Sequence, residues 1–294
     1  MIVRPPEHWL RALFVWEGSV LPAILPQLLL VLAVSLAALA TDGRVLGRKI
    51  PLDTAPFPMV GASLAIFLAF RNSASYERYV EARRIWGRIL GASRTLVSQA
   101  LCAGVEPAPL AAQVTAFVQA LRHQLRGSDP RADLARRLAL ELLAQALRQE
   151  FRPVFLLHRL RSMLGALPAE RGWMLDRQLC ILAEAVGACE RIANTLIPYP
   201  YGVLLHRTVY AYCFLLPFGL VDTIGAATPL ISVLLAYTLF ALDAIAAQVA
   251  EPFGTAPNAL ALDALACGIE RSVLELCGQP LPAAVEAGSG YVLT

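Results

Sequence analysis

Lysine is almost missing from this chain: Lys49 stands alone, and every other basic residue is arginine. A near-cancelling charge, +3 overall, removes the strongly basic nucleic-acid binders from consideration. The six cysteines (Cys102, Cys180, Cys189, Cys213, Cys267, Cys277) form no Cys-x-x-Cys pair, which excludes the usual dithiol and zinc motifs and leaves them as reduced core residues. No two of the four histidines stand at i, i+4, so no metal site is expected. An enzyme would need a Gly-x-Ser-x-Gly, a His-Glu-x-x-His or a phosphate-binding glycine loop, and none occurs. Nor do two related halves with broken helices appear, as a secondary transporter would show. No cofactor is implied. A channel and a non-conducting membrane scaffold both remain open at this point.

What the chain does have is apolar sequence. Hydrophobic residues make up 57% of its 294 positions, with a mean hydropathy of +0.58, beyond the range of ordinary soluble domains. Leu21 to Ala40 is a run of about 20 residues, enough to rise about 30 Å as a helix and cross a bilayer. The twenty residues before it are too aromatic and too mixed in charge for a signal peptide; Trp9, Phe14 and Trp16 read as an interfacial segment. Three further runs are short: Phe57 to Phe70, Val209 to Val221 and Pro229 to Leu242, with Asp243 and Glu251 close behind. Short apolar segments with ionisable ends suit helices bundled around water, and the second run either borrows Ile50 to Pro56 or is shielded by its neighbours. Here interhelical ion pairs or snorkelling are expected of His206, Arg207, Asp243 and Glu251, and packing roles of Arg71 and Glu81.

Five segments follow: an interfacial piece at 1–20, two spans within 21–70, a helical block at 71–197, two spans within 198–250, and a tail at 251–294 whose end, from Pro280, is expected to be loosely ordered. The block carries 18 basic and 11 acidic residues, and Arg71, Arg78, Arg83 and Arg84 next to a span place it in the cytoplasm. Both termini then lie inside. The outer loop DTIGAAT has no basic residue, as it should, whereas TDGRVLGRKIP carries Arg44, Arg48 and Lys49 against the rule. Within the block, Tyr76, Tyr79, Val80, Ile85, Trp86 and Ile89 form one helical stripe, and LARRLALELLAQALRQE from Leu134 continues the helical period.

One stretch joins the two regimes. IFLAFRNSASYERYVEARRIWG changes from apolar to charged at Arg71 with no proline or glycine before Gly87, so one helix is expected to run through both environments. Ala62, Ile66 and Phe70 stand at i, i+4 and i+8 on one narrow face of it, flanked by Met59 and Ser63. Periodicity leaves open whether that stripe meets lipid, a packed bundle or water.

The stretches FLAFRNSASYERYVEARRIWG, ACERIANTLIPYPYGVLLHRTVYAYCFLLPFGLVD and LDAIAAQVAEPFGTAPNALALDA, in this order over nearly the whole chain, resemble the bestrophin family in its bacterial branch. The resemblance implies an all-α membrane protein with four short transmembrane helices per subunit and a large helical cytosolic part. Five copies would assemble around a central pore in the inner membrane and pass monovalent ions. It further implies that Ala62, Ile66 and Phe70 form the neck, an apolar gate that switches by wetting and drying. Alanine at 62 is smaller than the aliphatic residue usual in the family, so the weight falls on Ile66 and Phe70. A second constriction before the Cys-Glu-Arg motif falls near Glu170, which alternatively is a solvated loop residue; facing the axis, five carboxylates would favour cations. The acidic calcium-binding run that follows Pro-Phe-Gly in animal relatives is replaced here by TAPNALAL after Gly254, so no calcium site is expected. Sodium-type cations are the expected permeant ions, with chloride or bicarbonate as the alternative.

Overall fold

A computed structural model describes residues 1–4, 8–12, 15–16, 18–45, 48–49, 55–165 and 167–294. Phe14 and most of the segment from Ile50 to Pro56, invoked above, lie outside them. The described residues form eleven α-helices: α1 (Trp9–Ala12), α2 (Leu21–Ala40), α3 (Pro56–Cys102), α4 (Pro107–Arg126), α5 (Arg131–Ala135), α6 (Leu140–Leu147), α7 (Arg152–Leu164), α8 (Ala169–Asn194), α9 (Tyr199–Ile224), α10 (Thr228–Ala250) and α11 (Leu262–Leu276). Among the described residues the departures from helix are a minimal antiparallel hairpin, Arg44–Val45 with Arg48–Lys49, entered through left-handed Asp42 and Gly43, and a single antiparallel bridge between Ile2 and Val292.

Three helical stretches are long and apolar enough to cross a membrane: Leu21–Ala40, Pro56–Cys102 and Tyr199–Ala250, the last being α9 and α10 joined by a single 3-10 turn at Gly225–Ala227. The helices outrun the apolar runs that announced them, α9 reaching 26 residues and α10 reaching 23. Hydropathy reports which part is apolar; the backbone continues until something stops it. The longest is α3, whose 47 residues rise about 70 Å without interruption. The helix therefore does continue past Arg71, as its lack of breakers requires.

The chain divides into two compact units. The apolar unit comprises residues 4–77 and 196–250, and the charged unit comprises 1–3, 78–195 and 251–294. In the apolar unit Ile24, Leu28 and Val31 of α2 pack with Leu64 and Leu68 of α3, Leu205 and Val209 of α9, and Phe240 of α10. Close approach is specified by glycine: a Cβ on Gly61 would stand 2.8 Å from the Tyr212 hydroxyl, and one on Gly219 2.6 Å from the Phe57 ring. The two aromatic rings so accommodated sit 6.0 Å apart.

The charged unit is built on Trp86, Ile89 and Leu96 of α3, Phe117 and Leu121 of α4, Leu156 and Leu160 of α7, and Leu182 of α8. Of the stripe expected on α3, Ile85, Trp86 and Ile89 are buried and Tyr79 and Val80 are half-buried, but Tyr76 is 62% exposed and drops out. The helix expected from Leu134 is broken into α5 and α6 at Ala139, whose backbone is extended (ψ 152°), while the side chain of nearby Arg137 pairs with Glu270. The tail is also more tightly held than its composition suggests: Leu293 N–H donates to Met1 O at 2.8 Å, Ala264 N–H to Thr294 O at 2.9 Å, and Arg271 to the Pro282 carbonyl. The cysteines are all free, yet only Cys189 and Cys213 are buried; Cys102 and Cys180 are exposed, since they stand on helix faces turned from the core.

A polar knot ties α4, α5 and α11 together inside the charged unit. Arg137 forks onto Glu270 at 2.6 Å, and Gln119 donates to the same carboxylate at 2.9 Å. Arg122 bridges Asp133 at 2.5 Å and Asp263 at 3.1 Å, and Arg126 reaches Asp263 at 2.6 Å. His123 is clasped between Asp133, 2.9 Å from Nε2, and the Ser128 hydroxyl, 2.7 Å from Nδ1. Burial alone would push the Asp133 carboxyl up. The His123 hydrogen bond and the charges of Arg122 and Arg137 outweigh it and hold the group below its ordinary 3.8. A depressed carboxyl contributes stability above its unfolded value and loses it as pH falls through the folded one. The charged unit is therefore expected to hold steady from neutral pH down to about pH 4 and to loosen below it. Circular dichroism of wild type against Asp133→Asn checks this, the variant being less stable at neutral pH and flatter in acid.

Candidate functional site

Within the apolar unit, α3 has one packed face and one bare face. Leu64 (3% exposed) and Leu68 (0%) enter the core, and Ser75 is buried below them. On the other side stand Met59, Ala62, Ser63, Ile66 and Phe70, with Ile66 56% and Phe70 69% exposed. At about 100° per residue, Ala62, Ile66 and Phe70 span an arc of about 80°, so the subunit leaves them together on one narrow strip. Ser63 spends its hydroxyl on the Met59 carbonyl at 2.9 Å, which keeps the strip effectively apolar. Beside it lies a groove of about 280 Å³ lined by Met59, Val60, Phe67, Leu204 and Thr208 among others.

Polarity returns within one turn. Arg71 ion-pairs with Asp243 of α10, and Asp243 also lies 3.7 Å from His206 of α9, so the interhelical pairing expected of these ends is present. Glu81 is paired with Arg191 in the charged unit. There the outward face of α3 carries Arg83, Arg84, Arg88 and Arg94, all exposed. Arg88 reaches Glu184 at 3.3 Å, whereas Arg83 and Arg84 have no ion pair among the described residues.

Glu170 is not in a loop. It occupies the first turn of α8, exposed, where a carboxylate also complements the helix N-terminus. The same first turns expose Trp173 (77%) and Met174 (52%), two large apolar side chains that the sequence reading passed over. Their signal was available: they fall off the Leu175, Leu179, Leu182 core stripe and have no packing reason to be apolar. Past α10, Phe253 is buried, and the Pro252 carbonyl accepts from Leu260 N–H at 2.9 Å, so this segment folds into a self-bonded turn. Among the described residues no three His, Cys, Asp or Glu side chains gather as a metal cluster.

Taken as a whole, the chain matches the family described as Bacterial/Fungal Bestrophin protein over residues 1–275. It is 45% identical to the voltage-dependent anion channel-forming protein RSc3414 of Ralstonia nicotianae, with both chains covered in full. It is 39% identical to the voltage-dependent anion channel-forming protein YneE of Salmonella typhi, over 94% of each chain. Among solved structures it resembles a bacterial bestrophin homolog from Klebsiella pneumoniae, with a TM-score of 0.84 and 39% identity over 87% of this chain and 99% of that one. The relatives are named as channel-forming proteins, not enzymes, in keeping with the missing catalytic motifs. The family match over residues 1–275, the 45% identity over the full length of a relative and the shared helical architecture agree: this chain belongs to the bacterial and fungal bestrophin family.

Proposed function

We propose that five copies of this chain surround a common axis in the inner membrane, with both termini cytoplasmic, and form a channel for monovalent ions. Crossings by α2, the first part of α3, α9 and α10 supply four spans per subunit. The observation that carries the reading is the bare strip of α3. Ala62, Ile66 and Phe70 are apolar and unpacked within the subunit, while the opposite face of the same helix is core. Five such strips around an axis make a dry neck, since aliphatic and aromatic side chains cannot replace an ion's hydration shell. The adjacent apolar groove fits the neighbouring copy, and closed rotational symmetry gives every subunit the same contact. If α8 supplies a second constriction, Trp173 and Met174 suit an apolar aperture better than Glu170, whose carboxylate serves the α8 N-terminus.

The permeant ions are anions in this reading. The sequence resemblance leads to an expectation of sodium-type cations, whereas the relatives bear anion-channel names, which favours the chloride-type alternative. The arginines on α3 supply a physical reason: unpaired guanidinium groups raise the local anion concentration within about a Debye length, about 8 Å at physiological salt. Planar-bilayer recording in asymmetric salt tests both points. A macroscopic current with a reversal potential near the chloride equilibrium value is expected. Arg84→Glu should move it toward the cation value by replacing five positive charges with five negative ones. A wild-type reversal at the cation equilibrium value would overturn the anion assignment, and silence in both bilayers and liposome flux would overturn the channel.

A further inference from the structure

We infer that Asp243 is a positioning residue for the neck: through Arg71 it sets the rotation of α3, and with it the direction in which Phe70 points. The inference rests on the channel reading above. Arg71 directly follows Phe70, and at about 100° per residue it lies about 140° round the helix from Ile66, on the side of Leu64 and Leu68. It is thus a pin behind the gate. Its guanidinium pairs with Oδ1 of Asp243 on α10, the two side chains being 16% and 18% exposed. The second carboxylate oxygen lies 3.7 Å from His206 Nδ1 on α9; the His206 ring packs at a tilt on Tyr210 with centroids 4.4 Å apart, and Tyr210 packs on Phe240 at 4.8 Å. The carboxylate therefore ties α3 to α10 and sits beside α9.

Next to the gate, the packed face of α3 is held by Leu64 and Leu68, whose contacts have no preferred direction, while the close fits of Gly61 to Tyr212 and of Phe57 to Gly219 lie more than two turns nearer the N-terminus than Phe70. Leucines in a groove tolerate a small rotation of the helix with little change in buried area. A half-buried guanidinium–carboxylate pair does not, because its hydrogen bonds are directional and each partner left alone is poorly solvated. Without the Asp243 charge, Arg71 has its nearest relief in turning toward water, and α3 carries Phe70 with it.

The test uses full-length protein reconstituted in liposomes and bilayers, comparing wild type, Asp243→Asn, Asp243→Glu and the swap Arg71→Asp with Asp243→Arg. Asp243→Asn is expected to change open probability about tenfold at unchanged protein density, the size typical of a direct polar coupling. The swap should return it toward the wild-type value, and Asp243→Glu should fall between. If wild type conducts while Asp243→Asn, Asp243→Glu and the swap all gate as wild type does, the positioning role is wrong and the channel reading stands. If Asp243→Asn fails to assemble, Asp243→Glu and the swap decide: a swap that assembles and still gates abnormally also overturns the role. Silent wild type overturns the channel reading, and this inference with it.

Discussion

Phe70→Ala is expected to raise single-channel conductance severalfold. The side chain is large, apolar and 69% exposed on the bare strip, with nothing in its own subunit to hold it. Around an axis, five such rings would define the narrowest point, and a path lined this way empties of water when it narrows. Replacing the rings by methyl groups widens that level and lowers the cost of keeping it wet, which leaves Ile66, one turn earlier, as the remaining constriction. Ala62 is already small, so widening Ile66 and Phe70 together should abolish the dry state. Phe67→Ala supplies the control. Phe67 lines the groove between α3 and α9, so its loss is expected to weaken subunit association, read by native mass spectrometry, more than it changes unitary current. An unchanged current in Phe70→Ala would remove that residue from the neck.

The second large effect is on stability. Glu270→Ala should destabilise the charged unit by about 3–5 kcal/mol, because it strands the Arg137 guanidinium in a nearly closed site. Both side chains of that pair are only about one-tenth exposed (12% and 11%), and Gln119 loses its acceptor as well. A paired replacement, Arg137→Met with Glu270→Leu, is expected to cost much less, since it removes both charges rather than orphaning one. Cys189 provides the readout. Burial pushes its thiol up to about 12, so it stays protonated and unreactive until the unit opens. On a background with Cys102, Cys180, Cys267 and Cys277 replaced by serine, thiol labelling during heating should begin several degrees earlier in Glu270→Ala than in wild type or the paired variant. Equal onset in all three would show that the polar knot contributes little to cohesion.

How far the sequence could be read depended on whether a feature was local. The continuous α3 was legible because helix termination is a local event, and no proline or glycine lies between Ile66 and Gly87. The break between α5 and α6 was not, since the period there is helical throughout. The structure breaks it at Ala139, close to Arg137, whose side chain reaches Glu270, 133 residues further along the chain. Tyr76 shows a different limit: at about 100° per residue it stands about 180° round the helix from Ile85 and about 80° from Trp86, so the helical period itself puts it off the core face. Glu170 is exposed, as an acid in that sequence suggests, but stands on a helix and not in a loop, while exposed Trp173 and Met174 escape a reading that weighs charge alone.

By itself, then, the amino-acid sequence determined the membrane character, the helical class, the family and the strip Ala62, Ile66, Phe70, because hydropathy, period and motif order are properties of neighbouring residues. Tertiary structure alone decided which face of α3 is core and which is bare, that Arg71 is pinned by Asp243, and that Arg84 stands without a partner among the described residues. Those facts join residues far apart in the chain. Such pairings are chosen by competition among all possible burials and ion pairs at once, which no local pattern records.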